Sequence, residues 1–147
     1  GVIAGCKVVD VKIDFYDGKM HPVDSNDMAF QIAGRHAFMD AVKSARPKLL
    51  EPIYSIKVKI PDDVMGDIMG DISSRRGKVQ GMETDGHFQI INAEVPMANL
   101  HDYATALKAM SSGRGMFTNE FSHYEDMPHI EADKVISKWE AARAAGE

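Results

Sequence analysis

The sequence has little of what marks several large classes of protein. Its 147 residues include a single cysteine, Cys6, which excludes an internal disulfide and a cysteine-based zinc cluster. No apolar run approaches the roughly 18 residues that a membrane-spanning helix needs. The first residues lack an initiator Met and the basic start and apolar centre of a signal peptide. We therefore expect a fragment or processed product that is cytoplasmic and contacts no membrane.

Positive charge and catalytic motifs are also scarce. The formal net charge of -5 argues against a protein that coats nucleic acid, although a local basic patch could still dock on a structured RNA. No phosphate loop, dinucleotide fingerprint or nucleophile elbow is present. The six histidines never show the spacing of metal ligands. We expect no catalytic residue, no cofactor and no metal site in this chain.

The first part of the sequence predicts one strand and one helix. Apolar and charged residues alternate between residues 7 and 16, which is typical of a half-buried strand. In the polar loop that follows, Pro22 restrains His21 to extended backbone, so we expect this loop to project. A helix capped by Asp24 or Ser25 should run to about Ser44.

The pattern restarts after a proline-bounded connection at residues 45–52. Residues 53–124 read as strand, helix, strand, strand, helix, strand, the ferredoxin-like split βαβ order. A last helix, from Glu131 to about Ala144, carries Trp139, which needs a partner surface. We therefore predict an α+β chain with a partial α/β domain (1–46), a ferredoxin-like domain (47–128) and a C-terminal helix (129–147) that packs back on the first segment.

The corner after the first helix of the ferredoxin-like region has two interpretations. Arg75 and Arg76 suit the negative C-terminal end of a helix, and Gly77 can supply the left-handed residue that ends it. The same guanidinium groups could instead contact phosphate or an unpaired base. Lys78 shares the corner, and we expect Arg114 to lie at the same end of the sheet. The residues alone leave both interpretations open.

Several motifs resemble translation elongation factor G, in the right order and over roughly residues 1–129. The fourth domain of that family is matched by Tyr16-Asp17-Gly18, His21-Pro22-Val23-Asp24-Ser25 and Met28-Ala29-Phe30-Gln31-Ile32-Ala33-Gly34. The fifth domain and its junction are matched by Leu49-Leu50-Glu51-Pro52-Ile53, Met65-Gly66-Asp67-Ile68-Met69-Gly70-Asp71, Ser74-Arg75-Arg76-Gly77, Gly113-Arg114-Gly115 and Phe121-Ser122-His123-Tyr124-Glu125. Asn119 departs from the family pattern, in which this position is often apolar.

The resemblance implies a monomeric ribosome-binding part of a GTPase that moves tRNA and mRNA during protein synthesis. It assigns His21 to a tip loop in the decoding region of the small subunit. It assigns Arg75, Arg76 and Arg114 to large-subunit rRNA near the stalk base and the sarcin-ricin loop, and Lys78, which shares the corner, is a further candidate for phosphate contact. GTP and Mg²⁺ would belong to the G domain of the parent, so this chain itself would not be an enzyme.

Other functions stay open on the sequence alone. A ribosome-recycling paralogue or a ribosomal protection protein would share the architecture. A ferredoxin-like regulatory module that binds a small molecule would fit the split βαβ pattern, although it gives no reason for the first 46 residues.

Overall fold

The computed structural model describes residues 1–146, which divide into two compact units. Unit 1 comprises residues 1–49 and the chain from Met127 onward, and unit 2 comprises Leu50–Asp126. The helices and strands are α1 (Asp27–Ser44), β1 (Leu50–Pro61), α2 (Met65–Ser74), β2 (Lys78–Asp85), β3 (Phe88–Pro96), α3 (Tyr103–Met110), β4 (Met116–Asp126) and α4 (His129–Ala144). Among the described residues, no helix has the length and apolar character needed to span a membrane.

Unit 2 has the predicted ferredoxin-like fold. Its antiparallel sheet has the strand order β2-β3-β1-β4, so β3 and β1 are central and β2 and β4 form the edges. Alternate residues of β1, such as Val58 and Ile60, are fully buried against Ile68 and Ile72 of α2. Burying each such side chain contributes about 1.5–3 kcal/mol. Tyr103 and Leu107 of α3 complete the core, so both helices cover the same face of the sheet.

The topology sends the C-terminal ends of α2 and α3 to opposite ends of the sheet. The end of β3 pairs with the start of β1, since Pro96 is opposite Ile53. The start of β4 pairs with the far part of β1, since Met116 is opposite Lys59. Arg114, just before β4, therefore lies at the end of the sheet away from the Arg75-Arg76 corner. The expectation that these cations share one end was wrong.

Helix α2 ends in a Schellman motif whose left-handed residue is Arg76. The Gly77 N–H donates to the Ile72 carbonyl at 2.9 Å and the Arg76 N–H donates to the Ser73 carbonyl at 3.1 Å. Arg76 has φ 62°, whereas Gly77 does not have positive φ, so the predicted role of Gly77 was wrong. Glycine is needed at 77 for space, because a Cβ there would lie 2.5 Å from Cγ2 and 2.7 Å from the carbonyl oxygen of Ile72.

The strand predicted at residues 7–16 does not form, although all of these residues are described. The segment lies outside any strand, and its alternating apolar side chains are exposed, with Ile13 at 68% and Phe15 at 88%. Alternation identifies a face that could be buried, but a strand also requires a neighbouring backbone to hydrogen-bond with. Within the described part of the chain, this segment has no such neighbour.

The helices of unit 1 form close to where the sequence predicted them. Helix α1 is capped by Asn26, whose Oδ1 accepts from the Ala29 N–H at 2.9 Å, rather than by Asp24 or Ser25. Helix α4 begins at His129, two residues earlier than predicted. The Trp139 indole lies against Gly5, where a Cβ would be 2.7 Å from Nε1. Unit 1 therefore joins the last helix to the first residues of the chain.

Candidate nucleic-acid interface

Arg75 is held on three sides by protein groups. Its Nε donates to Asp71 Oδ2 at 2.8 Å, and its Nη1 donates to Asp102 Oδ1 at 2.6 Å and to the Asn99 carbonyl at 2.9 Å. The guanidinium also lies 5.3 Å from the Tyr103 ring centroid, and only 14% of the side chain is exposed. The Asp71 hydrogen bond raises the pKa of Arg75, and the Arg75 hydrogen bond lowers the pKa of the Asp102 carboxyl. Arg75 thus joins the end of α2 to the start of α3.

Arg76 binds a buried carboxylate. Its two terminal nitrogens contact the two oxygens of Glu51 in a bidentate pair, with Nη1 3.1 Å from Oε2. The Glu51 side chain is 6% exposed, whereas that of Arg76 is 33% exposed. The residue that ends α2 in the left-handed conformation thus also contacts Glu51 of β1. One third of the Arg76 side chain is exposed to solvent.

Arg114 mirrors Arg75 at the other end of the helices. Its Nη2 lies 2.8 Å from Asp63 Oδ2, and its Nε donates to the Ser111 carbonyl at 3.1 Å. Arg75 after α2 thus binds an aspartate at the start of α3, and Arg114 after α3 binds an aspartate just before α2. The Arg114 side chain is about half exposed and lowers the pKa of Asp63. Both pairs place cations at helix C-termini and carboxylates at N-termini, which the helix dipole favours.

Lys78 is the most exposed cation of the corner. Its Nζ lies 3.5 Å from Glu125 Oε2, and 67% of its side chain is exposed. The hydrogen bond from His123, followed by the charge of Lys78, holds the pKa of the Glu125 carboxyl below its ordinary value. At 3.5 Å the ammonium is loosely paired, so it can move toward a phosphate at little cost.

His21 lies in unit 1, in a single backbone turn. The Ser25 N–H donates to the His21 carbonyl at 3.1 Å, and the Ser25 Oγ accepts from the His21 N–H at 2.7 Å. Residues 22–24 therefore form a turn that starts from His21, and the His21 side chain is 65% exposed. Its Nδ1 lies 3.1 Å from Asp24 Oδ2 and 3.4 Å from the Val23 nitrogen. Both of these contacts are made by Nδ1.

The five predicted contact residues therefore differ in burial and in location. Arg75 is mostly buried and satisfied internally, Arg76 and Lys78 share its corner, Arg114 lies at the other end of unit 2, and His21 lies in unit 1. The carboxylates that bind the arginines were missed, because Glu51, Asp63 and Asp102 are 25, 51 and 27 residues from their partners. Topology could have indicated the aspartates, since both lie at helix starts.

Comparison with known proteins identifies the chain. The family model for elongation factor G, domain IV, matches residues 1–46, and the model for the elongation factor G C-terminus matches residues 48–135. The fold and these matches define part of a translation elongation factor, and the protection-protein and regulatory-module alternatives are not favoured. The chain belongs to the elongation factor G family.

A relative and a solved structure support this assignment. The chain is 46% identical over 145 residues to elongation factor G of Aquifex pyrophilus, covering 99% of this chain and 21% of that protein. A crystal structure of a protein from Thermus thermophilus matches with a TM-score of 0.75 and 42% identity, over 86% of this chain and 19% of that one. The chain thus spans about a fifth of the length of these relatives.

Proposed function

We propose that this chain is the ribosome-docking C-terminal part of a factor that promotes GTP-dependent movement of tRNA and mRNA. The observation that carries the proposal is the 46% identity to elongation factor G across 99% of the chain. GTP and Mg²⁺ would be bound by the G domain of the whole factor, since these 147 residues contain no phosphate-loop motif. The chain acts as a monomeric RNA-binding module in the cytoplasm.

Two regions make the RNA contacts in this proposal. The exposed edges of Arg76, Lys78 and Arg114 bind phosphates of large-subunit rRNA near the stalk base and the sarcin-ricin loop. His21 makes a polar contact in the decoding region, beside the tRNA and mRNA. We assign Arg75 a supporting role, because its Nε and Nη1 already bind three protein groups and only 14% of its side chain is exposed. Its role is to hold the end of α2 in place and so to position Arg76.

The carboxylates in these ion pairs compete with RNA phosphates for the cations. A phosphate reaching Arg114 must replace or share Asp63, and one reaching Lys78 must replace Glu125. Because both pairs are exposed, this exchange costs little. The pairing also keeps the surface from attracting unrelated anions, which fits an acidic chain that binds RNA at a few defined points.

Ribosome binding at several salt concentrations tests the phosphate contacts. Binding of the chain to large subunits should weaken with salt, and Lys78→Gln or Arg114→Gln should each reduce the slope of log K against log salt by about one. Lys108→Gln, which removes a lysine in the last turn of α3, is the matched control and should leave the slope unchanged. Equal slopes for all four proteins would remove these residues from the interface.

The His21 contact requires the whole factor. His21→Ala should slow translocation while leaving ribosome-stimulated GTP hydrolysis near its normal rate, because the loop acts on tRNA and mRNA and not on nucleotide. Asp24→Asn is the control for loop structure, since it removes the charged Nδ1 partner but keeps the imidazole. Normal translocation by His21→Ala would refute the contact, and a defect confined to ribosome recycling would favour the recycling paralogue.

A further inference from the structure

Three potential metal ligands meet on the face of the unit 2 sheet that α2 and α3 leave uncovered. Glu94 of β3 and His123 and Glu125 of β4 are half-buried, and one ligand atom from each lies within 4.8 Å of the others. His123 Nε2 is already 3.0 Å from Glu125 Oε1. Strands β3 and β4 both flank β1, so the three side chains converge across a central strand.

We propose that Glu94, His123 and Glu125 form a binding site for a divalent transition-metal ion, with Zn²⁺ as the best match. One imidazole nitrogen and two carboxylate oxygens are a mixed set that suits Zn²⁺ better than Mg²⁺ or Ca²⁺, which bind oxygen ligands. Spacing along the sequence could not indicate this site, because its ligands come from two different strands with a helix between them.

The groups around the ligands already orient them. Ser122 Oγ lies 2.9 Å from His123 Nδ1, so the ring can keep its proton there and direct Nε2 toward Glu125. The Gln80 side-chain amide donates to Glu94 Oε2 at 3.0 Å and leaves the other carboxylate oxygen as a ligand. A hydrogen-bonded second ring nitrogen is the usual surrounding of a metal-binding histidine.

The distances are close to those that a metal ion requires. Bonds of about 2.1 Å in tetrahedral geometry put two ligand atoms about 3.4 Å apart. His123 Nε2 and Glu125 Oε1 are 3.0 Å apart, and a Glu94 oxygen lies within 4.8 Å of both, so the three atoms are near this spacing and small side-chain rotations would adjust it. Glu94 and Gln80 also line a concavity of about 420 Å³ on this face, so the Glu94 side of the site is open to solvent, from which a water could serve as a fourth ligand.

The positive charge of Lys78 disfavours metal binding at this site. Its ammonium lies 3.5 Å from Glu125 Oε2 and would repel a dication at the site. Because the Lys78 side chain is 67% exposed, it can turn into water when the ion binds. Lys78→Gln removes the repulsion and keeps a polar side chain, so it should tighten Zn²⁺ binding several-fold. Metal ions that bind elsewhere would not respond to this change.

Metal titration of the full chain tests the proposal. After removal of metal with a chelator, the protein should bind one equivalent of Zn²⁺ and should show Co²⁺ visible absorption of low coordination number. His123→Gln and Glu94→Gln should weaken binding at least tenfold. His87→Gln, at the exposed hairpin turn of the same sheet, and Cys6→Ser, the sole thiol, are the controls and should bind as the parent does.

Thermal unfolding supplies a second readout. An ion that joins β3 to β4 should raise the melting temperature of the parent by several degrees at a large excess over Kd, and should not raise that of His123→Gln. Circular dichroism of the metal-free variants shows whether they fold. Equal Zn²⁺ affinity in the parent and His123→Gln, loss of binding in Cys6→Ser, or no tightening in Lys78→Gln would each overturn the site.

Discussion

Replacing Arg76 with Ala should lower the free energy of unfolding of unit 2 by about 3 kcal/mol. The variant leaves Glu51, whose side chain is only 6% exposed, without its bidentate guanidinium. Removing one partner of a buried ion pair typically costs about 3–5 kcal/mol, because the remaining charge stays desolvated. Arg76 is one-third exposed, so water can reach Glu51 from that side and the cost should lie near the lower end.

A second substitution separates the ion pair from the backbone. Arg76 has φ 62°, a conformation that costs an L-residue about 1 kcal/mol relative to glycine. Ala keeps that strain and Gly removes it, so Arg76→Gly should lose about 2 kcal/mol. In Arg76→Gln/Glu51→Gln both charges are removed together, and the double variant should be more stable than Arg76→Ala.

Urea unfolding followed by far-UV circular dichroism measures all four proteins under one set of conditions. The order of stability should be parent, Arg76→Gly, Arg76→Ala, with the double variant above Arg76→Ala. A loss below about 1 kcal/mol for Arg76→Ala would show that the pair with Glu51 contributes little to the fold. Arg76 would then be better explained by an external partner alone.

Three further predictions follow from unit 2. The Tyr103 hydroxyl is buried and, within the described residues, has no hydrogen-bond partner, so Tyr103→Phe should leave the melting temperature unchanged or raise it, and a fall of several degrees would contradict this. Gly77→Ala should prevent stable folding or cost more than about 2 kcal/mol in urea unfolding, since its Cβ would meet Ile72, and a neutral result would mean that the corner is loosely packed. The pKa of Asp102 is lowered by Arg75, so this pair stabilises the fold above the ordinary aspartate pKa of 3.8 and loses its effect as pH falls through the lower folded-state value. Asp102→Asn should therefore reduce the fall in melting temperature at acid pH. An unchanged fall would contradict the lowered pKa of Asp102.

The regular part of the fold could be predicted from sequence because its signals are local. The alternation in β1 and the helical spacing around Ile68 and Ile72 each specify one buried face, and unit 2 provides a partner for each. The strand expected at residues 7–16 had an equally clear alternation but no pairing partner in the described chain. Periodicity identifies a surface that can be buried and carries no information about what covers it.

The candidate site was harder to predict because the sequence does not indicate which distant residue pairs with a charged side chain. The sequence makes Arg75 and Arg114 candidates for phosphate contact, with helix capping as the alternative for Arg75. In the structure each binds the aspartate at the start of the other helix. Strand order alone could have corrected the expected grouping. In a split βαβ unit the two helices run in opposite directions, so the residues that follow them lie at opposite ends of the sheet. The 10 residues of α2 correspond to a separation of about 15 Å.

The same topology explains how one corner can serve both stability and binding. Arg75 is enclosed and fixes α2 against α3, whereas Arg76 contacts the buried Glu51 and has a side chain that is one-third exposed. These successive side chains lie in different surroundings where the backbone changes to the left-handed conformation at Arg76. A substitution at Arg75 should therefore weaken RNA binding only by disturbing the corner, and rescue of folding should rescue binding. A substitution at Arg76 should impair binding even where the fold is maintained. Comparing the two variants at equal folded fraction therefore distinguishes a residue that supports the corner from one that contacts RNA.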